Sequence, residues 1–176
     1  MQFRQVYDDN VGFVWRSLRR LGVREASLKD AVQEVFLVVH RRLDAFEERA
    51  RLRTWLFRIC MHTAKDQRRR AHVRHEVFDV ELQSVAAQSK GAAELVEQRE
   101  DLALFDAALE KLSLEQRAVF ILFELEEMTG EKIAECLELP LGTVYSRLRL
   151  ARQSFRRAVL VESKQRGVAT RAGGEP

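Results

Sequence analysis

The sequence predicts an all-α protein made of two small helical domains joined by a flexible acidic linker. Its 176 residues include only two prolines and eight glycines, too few for the many turns of a β-rich fold. Apolar residues recur at helical spacing on both sides of an acidic segment whose middle is small and polar. We therefore expect domains at residues 1–75 and 102–161, the linker at 76–101 and a disordered tail at 162–176.

Composition indicates where the protein works. Hydrophobic residues make up 46% of the chain and charged residues 32%, which suits a soluble helical protein. No apolar run approaches the roughly 20 residues that span a bilayer, and the N-terminus lacks a signal-peptide pattern. We therefore expect a cytoplasmic protein without membrane insertion. Cys60 and Cys136 lie far apart in helical patterns, which predicts two reduced cysteines in the core.

The first domain opens with two amphipathic helices. Residues 3–21 form the first helix, which Gly22 ends, and its inward positions are Val6, Val14, Leu18 and Leu21. Ser27 is expected to cap the second helix, with Asp30 in its first turn. This helix buries Leu28, Val32, Val35, Phe36, Val39 and Leu43 and presents Asp30, Gln33, Glu34 and Arg41 on its other side. Polar helix faces are usually just solvated, so spacing alone leaves a partner role open.

The third helix follows a charged loop, Glu47–Arg53, and Thr54 is expected to cap it. Its packed side consists of Leu56, Ile59, Cys60, Thr63 and Ala64, and the opposite stripe of Trp55, Arg58, His62, Lys65, Asp66 and Arg69. An aromatic ring beside cations suits single-stranded nucleic acid, because bases stack on the ring while the cations hold phosphates. The alternative is that Trp55 is half-buried core and the arginines are merely solvated.

The second domain contains four predicted helices. The first is LALFDAALEKL, and Ser113 and Gln116 form a capping-box pattern that opens the next, SLEQRAVFILFELEEM, with Val119, Phe120 and Phe123 inward. Thr129 can cap the third, whose apolar face is Ile133, Ala134 and Leu137. Pro140 cannot continue that helix, and Gly142 is expected to supply the turn before the last one.

The last helix has one apolar and one polar side. Val144, Leu148, Ala151 and Phe155 share a stripe, and Tyr145, Ser146, Arg149 and Gln153 lie opposite, flanked or extended by Arg147, Arg152, Arg156 and Arg157. A helix-turn-helix presents its recognition helix to the major groove in this way, with arginines available for phosphates or guanine edges. The alternative is an ordinary helical hairpin with a solvated basic face.

The sequence shows no pattern typical of an enzyme. It has no nucleotide-binding glycine loop, HExxH, CxxC pair or nucleophile elbow. His72 and His75, with Cys60 and His62 upstream, match no common metal-site spacing. Acidic pairs such as Glu126–Glu127 lie on predicted helix surfaces, where nothing would desolvate them for acid–base catalysis. We expect no catalytic activity, no metal and no cofactor.

Three segments in order carry a resemblance that covers nearly the whole chain: DAVQEVFLVVHRRLDAF, LRTWLFRICMHTAKDQRRR, and LSLEQRAVFILFELEEMTGEKIAECLELPLGTVYSRLRLAR. Together they resemble the extracytoplasmic-function (ECF, group IV) sigma factors of bacterial RNA polymerase, in the sigma-70 family. The resemblance implies that residues 1–75 are region 2, a three- or four-helix bundle that binds core polymerase and the −10 element. It implies that residues 102–161 are region 4, a four-helix bundle whose helix-turn-helix binds the −35 element.

The resemblance also implies roles for individual residues. Those expected to contact melted −10 DNA are Arg53, Thr54, Trp55, Arg58, His62, Lys65, Asp66 and Arg69. Those expected to contact −35 duplex are Thr143, Tyr145, Ser146, Arg147, Arg149, Leu150 and Arg152. Asp30, Gln33, Glu34 and Phe36 are expected to contact the β′ clamp helices of core polymerase. The apolar surface of region 4 would meet the β flap, the acidic linker would thread the active-site cleft, and an anti-sigma factor is a further expected partner.

The chain departs from the family pattern at several positions. His62 stands where relatives commonly carry asparagine, Tyr145 and Leu150 stand where Arg or Lys is common, and Glu138 replaces a usual helix-ending glycine. Two other classes of function stay open from the residues themselves. One is a stand-alone helix-turn-helix regulator that binds duplex tightly without polymerase. The other is a sigma mimic that binds an anti-sigma factor and never touches DNA. The two domains could be splayed, or packed together with their DNA faces hidden.

Overall fold

The computed structural model describes residues 2–46, 52–77 and 93–172. Within these ranges every regular element is helical, so the all-α prediction is confirmed. The elements are α1 (Phe3–Arg20), α2 (Glu25–Arg42), a 3₁₀ turn (Leu43–Ala45), α3 (Leu52–Val77), α4 (Ala93–Glu110), α5 (Leu114–Phe120), a π-helical turn (Ile121–Leu125), α6 (Gly130–Leu137) and α7 (Leu141–Ala172). No helix in the described ranges is long and apolar enough to cross a membrane.

Helices α1, α2 and α3 pack on one another as a three-helix bundle, the N-terminal half. The inward positions predicted for α1 and α2 are all buried, as is the predicted packed side of α3. Phe57, absent from that prediction, is also fully buried. Gly22 ends α1 with a φ of +89°, a conformation that glycine adopts without steric conflict.

Two predicted helix starts in this half are wrong. Helix α2 begins at Glu25, so Ser27 lies in its first turn and Asp30 lies beyond it. Arg24 occupies the N-cap position without a side-chain hydrogen bond, and the Ser27 amide donates to the Arg24 carbonyl at 2.8 Å. Helix α3 likewise begins at Leu52, two residues before the expected cap Thr54. Most of the predicted loop before it, 47–51, lies outside the described residues.

Helices α4 to α7 form the C-terminal half. The predicted capping box is present: the Gln116 amide donates to the Ser113 hydroxyl, and the Ser113 amide donates to the Gln116 side chain, both at 3.2 Å. The helix that it opens was predicted to run on to Met128, but it changes to a π-helical turn after Phe120. Thr129 caps α6 as predicted, with its hydroxyl accepting from the Lys132 amide.

The turn between α6 and α7 differs from the prediction. Gly142 lies inside the first turn of α7, and the left-handed residue is Glu138, with φ 54° and ψ 48°. The Leu139 amide then donates to the Ala134 carbonyl at 2.9 Å, a hydrogen bond typical of this helix ending. The chain thus uses a glutamate at a position where glycine is strongly favoured.

The disordered tail predicted at 162–176 is wrong for its first part, because α7 continues to Ala172. Ala158 is buried, and Lys111 of the C-terminal half forms an ion pair with Glu162 at 3.7 Å. These contacts hold the helix beyond the predicted end of the domain. Residues 173–176, and 78–92 of the predicted linker, lie outside the described residues, while 93–101 belong to α4.

The two halves are packed together. A single apolar cluster contains buried residues of α1, α2 and α3 and also of α5, α6 and α7. Arg117 of α5 is only 2% exposed, and its guanidinium donates to the Arg20 carbonyl at the end of α1 at 3.4 Å. Of the two arrangements that the sequence left open, the structure has the packed one, but it does not hide the predicted DNA faces as a whole, because Tyr145, Ser146, Arg149 and Leu150 stay exposed.

Substitution of Gly22 by alanine is expected to destabilise the protein. A non-glycine residue at positive φ loses about 1–2 kcal/mol, and a Cβ here would collide with the buried Arg117 guanidinium. Urea unfolding followed by circular dichroism measures the loss.

The matched control is Gly142→Ala, because Gly142 lies in a helix with open space around it. This change should leave the free energy of unfolding unchanged or raise it by up to about 1 kcal/mol. A stability loss for Gly142→Ala, or none for Gly22→Ala, would contradict the backbone assignment.

Candidate nucleic-acid interface

The side of α3 that faces away from the core carries six of the predicted strand-contacting residues in exposed positions; we call this the α3 face. These residues are Arg53, Arg58, His62, Lys65, Asp66 and Arg69. Asp66 and Arg69 form an ion pair at 3.5 Å, so this acid is partly neutralised within the face. The structure therefore groups the predicted residues along one helix.

Trp55 is half-buried at the start of the α3 face. It packs against the apolar cluster, and its ring lies 4.8 Å from the Phe46 ring with a tilt of 37°. Thr54, beside it, is also half-buried. The half-buried position of Trp55 agrees with the interpretation that it supports the core, while stacking of a base on its ring stays a prediction. Phe46, which sequence reasoning missed, is its main aromatic neighbour.

Helix α6 covers the start of the α3 face. The Arg58 guanidinium lies 2.7 Å from the Glu138 carboxylate, and the Cys136 thiol donates to the Thr54 carbonyl at 3.5 Å. A cleft of about 460 Å³ separates the halves here, with Trp55 and Arg53 on one wall. On the other wall are Leu122, Glu126, Met128, Lys132 and Glu135. No local sequence pattern indicated that these segments would meet.

The outer side of α7, the α7 face, is the second basic surface. Tyr145, Ser146, Arg149 and Leu150 are exposed, while Thr143, Arg147 and Arg152 are half-buried at its edges. Of the predicted opposite stripe, Val144, Leu148 and Ala151 are buried, and Phe155 is half-buried. Helices α6 and α7 meet through a short turn, so the structure contains the predicted helix-turn-helix.

Two side chains of the α7 face also contact the rest of the C-terminal half. The Arg152 guanidinium donates to the Glu124 carboxylate at 2.6 Å and lies 5.0 Å from the Phe123 ring centroid. Tyr145 packs its hydroxyl end against Gly130, where a Cβ would come within 2.7 Å of the oxygen. Arg152 is therefore anchored, and the Tyr145 hydroxyl lies in the space that a side chain at residue 130 would enter.

The α2 residues predicted to bind a partner have different environments. Asp30 and Gln33 are exposed. The Glu34 carboxylate accepts from Arg70 at 2.6 Å and from Gln67 at 3.3 Å, which ties α2 to α3. Phe36 is only 4% exposed and packs beside Tyr7 with ring centroids 4.5 Å apart. Phe36 therefore supports the partner-facing side of α2 from the core, and little of its own surface is available for contact with a partner.

Burial shifts two kinds of titratable group near the joint between the halves. Burial raises the pKa of the Cys136 thiol to about 12, and it raises the pKa of the Cys60 thiol as well. Burial, together with the nearby positive charge of Arg68, lowers the pKa of the Arg117 guanidinium to about 10. Its Nε is buried without a hydrogen-bond partner among the described residues. Closing the joint therefore buries a cation at some cost in free energy.

Family models match both halves of the chain. The model for Sigma-70 region 2 matches residues 6–74, and the model for Sigma-70 region 4 matches residues 102–155. The RNA polymerase sigma factor NccH of Alcaligenes xylosoxydans xylosoxydans is 31% identical over 153 residues, which cover 85% of this chain and 81% of NccH. The chain belongs to the ECF sigma factors of the sigma-70 family.

Other relatives agree with this assignment. The ECF RNA polymerase sigma-E factor of Escherichia coli K12 is 31% identical over 141 residues, covering 76% of this chain and 74% of that factor. The Bartonella quintana sigma factor RpoE, solved in complex with the anti-sigma factor NepR, superposes with a TM-score of 0.73 at 26% identity, over 90% of this chain and 97% of RpoE. CnrH, solved with the cytosolic domain of CnrY, shares the fold, with a TM-score of 0.63 at 23% identity over 92% of this chain and 88% of CnrH.

Family membership establishes the class of function. Sigma factors bind core RNA polymerase and promoter DNA, and they are non-enzymatic transcription initiation factors. They act in transcription, which in bacteria takes place in the cytoplasm. This ECF sigma factor is therefore an alternative initiation factor and not an enzyme.

The two thiols are expected to react slowly in the folded sigma factor. A thiol reacts as its thiolate, and the raised pKa of Cys136 leaves almost none of it ionised at pH 8. Ellman's reagent at pH 8 should modify both cysteines rapidly in 6 M guanidinium chloride but far more slowly in buffer. The same shift predicts that the contribution of Cys136 to stability is complete below about pH 9 and is lost as the pH rises towards 12. Rapid labelling of both thiols in buffer would contradict their burial.

Proposed function

We propose that this ECF sigma factor reads −35 duplex through the α7 face and captures the unpaired −10 strand on the α3 face, while α2 binds core polymerase. Region 2 would span residues 1–75 and region 4 residues 102–161, with residues 76–101 between them. The observation that carries the proposal is the division of α7 into a buried apolar stripe and an exposed polar one that contains Tyr145, Ser146 and Arg149.

The α7 face suits a major groove. An α-helix fits that groove when its outward side chains are free to reach base edges. Arg149 is exposed and can donate two hydrogen bonds to guanine, whereas Arg152 is engaged by Glu124. We therefore assign base reading to Arg149, Tyr145, Ser146 and Leu150, and phosphate or edge contacts to Thr143, Arg147 and Arg152.

The α3 face suits a melted strand. Arg53, Arg58, Lys65 and Arg69 can hold phosphates along the helix, and the accessible part of Trp55 can stack with a base. His62 and Asp66 add hydrogen-bonding groups, and a carboxylate can accept from a cytosine amine. Thr54 would contact the strand at the start of the helix. Base stacking of this kind offsets the few kcal/mol that unpairing a base requires.

Core polymerase and a regulator complete the proposed set of partners. Asp30 and Gln33 are available to the β′ clamp helices, with Glu34 at the edge and Phe36 supporting the surface. The exposed Leu102 and Leu160 of the C-terminal half are suited to the β flap. The RpoE complex with NepR supports regulation by an anti-sigma factor. In holoenzyme the protein would be associated with the nucleoid.

Run-off transcription with purified core polymerase on a promoter library tests the proposed function. We expect the protein to associate with core and to yield transcripts from a restricted set of promoters. Tight duplex binding without polymerase would instead favour a stand-alone regulator. Failure to bind core, with no specific transcripts, would overturn the proposal.

Arg149→Ala is expected to weaken −35-dependent initiation by about 1–3 kcal/mol, because a side chain that reads a base contributes about that much discrimination. The measurement is run-off yield against promoter concentration on templates that differ only in the −35 element. Arg152→Ala is the comparison, since its guanidinium is engaged by Glu124. An equal loss from Arg149→Ala on every −35 sequence would mean that Arg149 contacts only phosphate.

Trp55→Ala is expected to impair strand opening while core binding stays near normal. The ring would lose its stacking with a base, worth about 1–3 kcal/mol, whereas α2 is unchanged. Permanganate footprinting measures opening, and native gels with core polymerase measure assembly. Thermal denaturation of the variant is needed as well, because Trp55 also packs on Phe46. Unchanged opening in a folded variant would assign Trp55 to the core alone.

A further inference from the structure

The first observation concerns the backbone of Glu138. A left-handed conformation disfavours any residue with a Cβ by about 1–2 kcal/mol compared with glycine, yet this chain has a glutamate there with φ 54°. Its carboxylate lies 2.7 Å from the guanidinium of Arg58, on the α3 face. Backbone strain that persists beside a functional surface is a reason to look for a role for the side chain. Here the carboxylate contacts a proposed DNA-binding arginine.

The second observation is that the ion pairs between the halves all have the same polarity. Among the described side chains, three ion pairs join them: Arg19–Asp106 at 2.9 Å, Arg20–Glu126 at 4.0 Å and Arg58–Glu138 at 2.7 Å. In each pair the N-terminal half supplies the arginine and the C-terminal half supplies the acid. The C-terminal half thus offers carboxylates to a surface that is proposed to bind phosphates.

The third observation is that this contact covers the start of the α3 face and is itself partly exposed to solvent. The Cys136 thiol bonds to the Thr54 carbonyl, so α6 lies against the turn that carries Trp55. The Arg58 and Glu138 side chains are 44% and 69% exposed, so water and salt can compete with their attraction. The buried Nε of Arg117 without a described partner further weakens the closed joint.

From these observations we infer that the free sigma factor masks its own strand-binding surface: the Glu138 carboxylate occupies Arg58 where a −10 phosphate would bind. The contact is autoinhibitory, because separation of the halves frees the Arg58 guanidinium from Glu138 and opens the cleft that Trp55 lines. The inference of masking rests on the proposed function, in which the α3 face binds the −10 strand. The contact between Arg58 and Glu138 does not depend on that function.

Cys136 provides a native probe of closure. It is 3% exposed at the joint, while Cys60 is fully buried inside the N-terminal half. Reaction of Cys136 with Ellman's reagent then reports how often the halves separate, and Cys136→Ser identifies its kinetic phase. Glu138→Gln should speed this phase by about two- to fivefold, the upper factor corresponding to about 1 kcal/mol for an exposed ion pair. Arg58→Gln should have the same effect, and the double variant should add nothing further.

Glu127 offers a matched control. It is an exposed glutamate of the same half with φ 51°, and it takes part in none of the three ion pairs between the halves. Glu138→Gly and Glu127→Gly should both raise the urea midpoint, because both relieve a left-handed backbone. Only Glu138→Gly should speed thiol labelling. If Glu138→Gln labels at the rate of Glu127→Gln, or if Arg58→Gln adds its full effect to Glu138→Gln, the contact does not hold the joint.

Masking is tested separately with a fluorescein-labelled dT15 oligonucleotide and anisotropy. Glu138→Gln should bind it about two- to fivefold more tightly than the unaltered protein, while Glu127→Gln, with the same change of net charge, should not. If both variants bind the oligonucleotide more tightly by the same factor, the cause is the change of net charge, and the inference of masking is overturned. The labelling assay contains no DNA, so a failed run-off experiment combined with faster Glu138→Gln labelling would refute the proposed function and leave the closed contact standing.

Discussion

One apolar cluster holds both halves of this sigma factor together, from Val6 in α1 to Leu148 in α7. Helices α1, α2, α3, α5, α6 and α7 each contribute one stripe to it, so the polar side of each of these helices is left to solvent or to a partner. The polar side of α2, the α3 face and the α7 face all arise in this way, each opposite the buried side of its helix. Arg117 is an exception in this apolar interior, because its charged guanidinium is buried there beside the end of α1.

Helical periodicity predicted the fold and the members of each face. The buried and exposed sides of α7 were assigned correctly because 3.6-residue spacing depends only on local sequence. The Ser113–Gln116 box was also found, since two residues at a fixed distance form its pattern. Ser27 and Thr54 were each predicted as helix caps from one residue, without a second residue to confirm the pattern. Helix α2 begins two residues before Ser27, and helix α3 begins two residues before Thr54.

The covering of the α3 face could not be predicted in the same way. Arg58 and Glu138 are far apart in sequence, and no local pattern connects them. The missing glycine at 138 was visible as a departure from the family, but its meaning depends on which surface α6 meets. The closed arrangement treats the two proposed reading surfaces differently: the α7 face stays exposed while the start of the α3 face is covered. Under the proposed roles of the two faces, duplex recognition would not require the halves to separate, whereas strand capture would.

The contact between Tyr145 and Gly130 links the outer side of α7 to the start of α6. The tyrosine hydroxyl occupies the space that a Cβ at residue 130 would take, and Gly130 begins the helix that positions the recognition helix. A mutation of Gly130 would displace a proposed base-reading side chain without touching DNA, and a smaller residue at 145 would leave that space empty. The identity of residue 130 therefore affects where the side chain of residue 145 lies, although residue 130 is not on the α7 face itself.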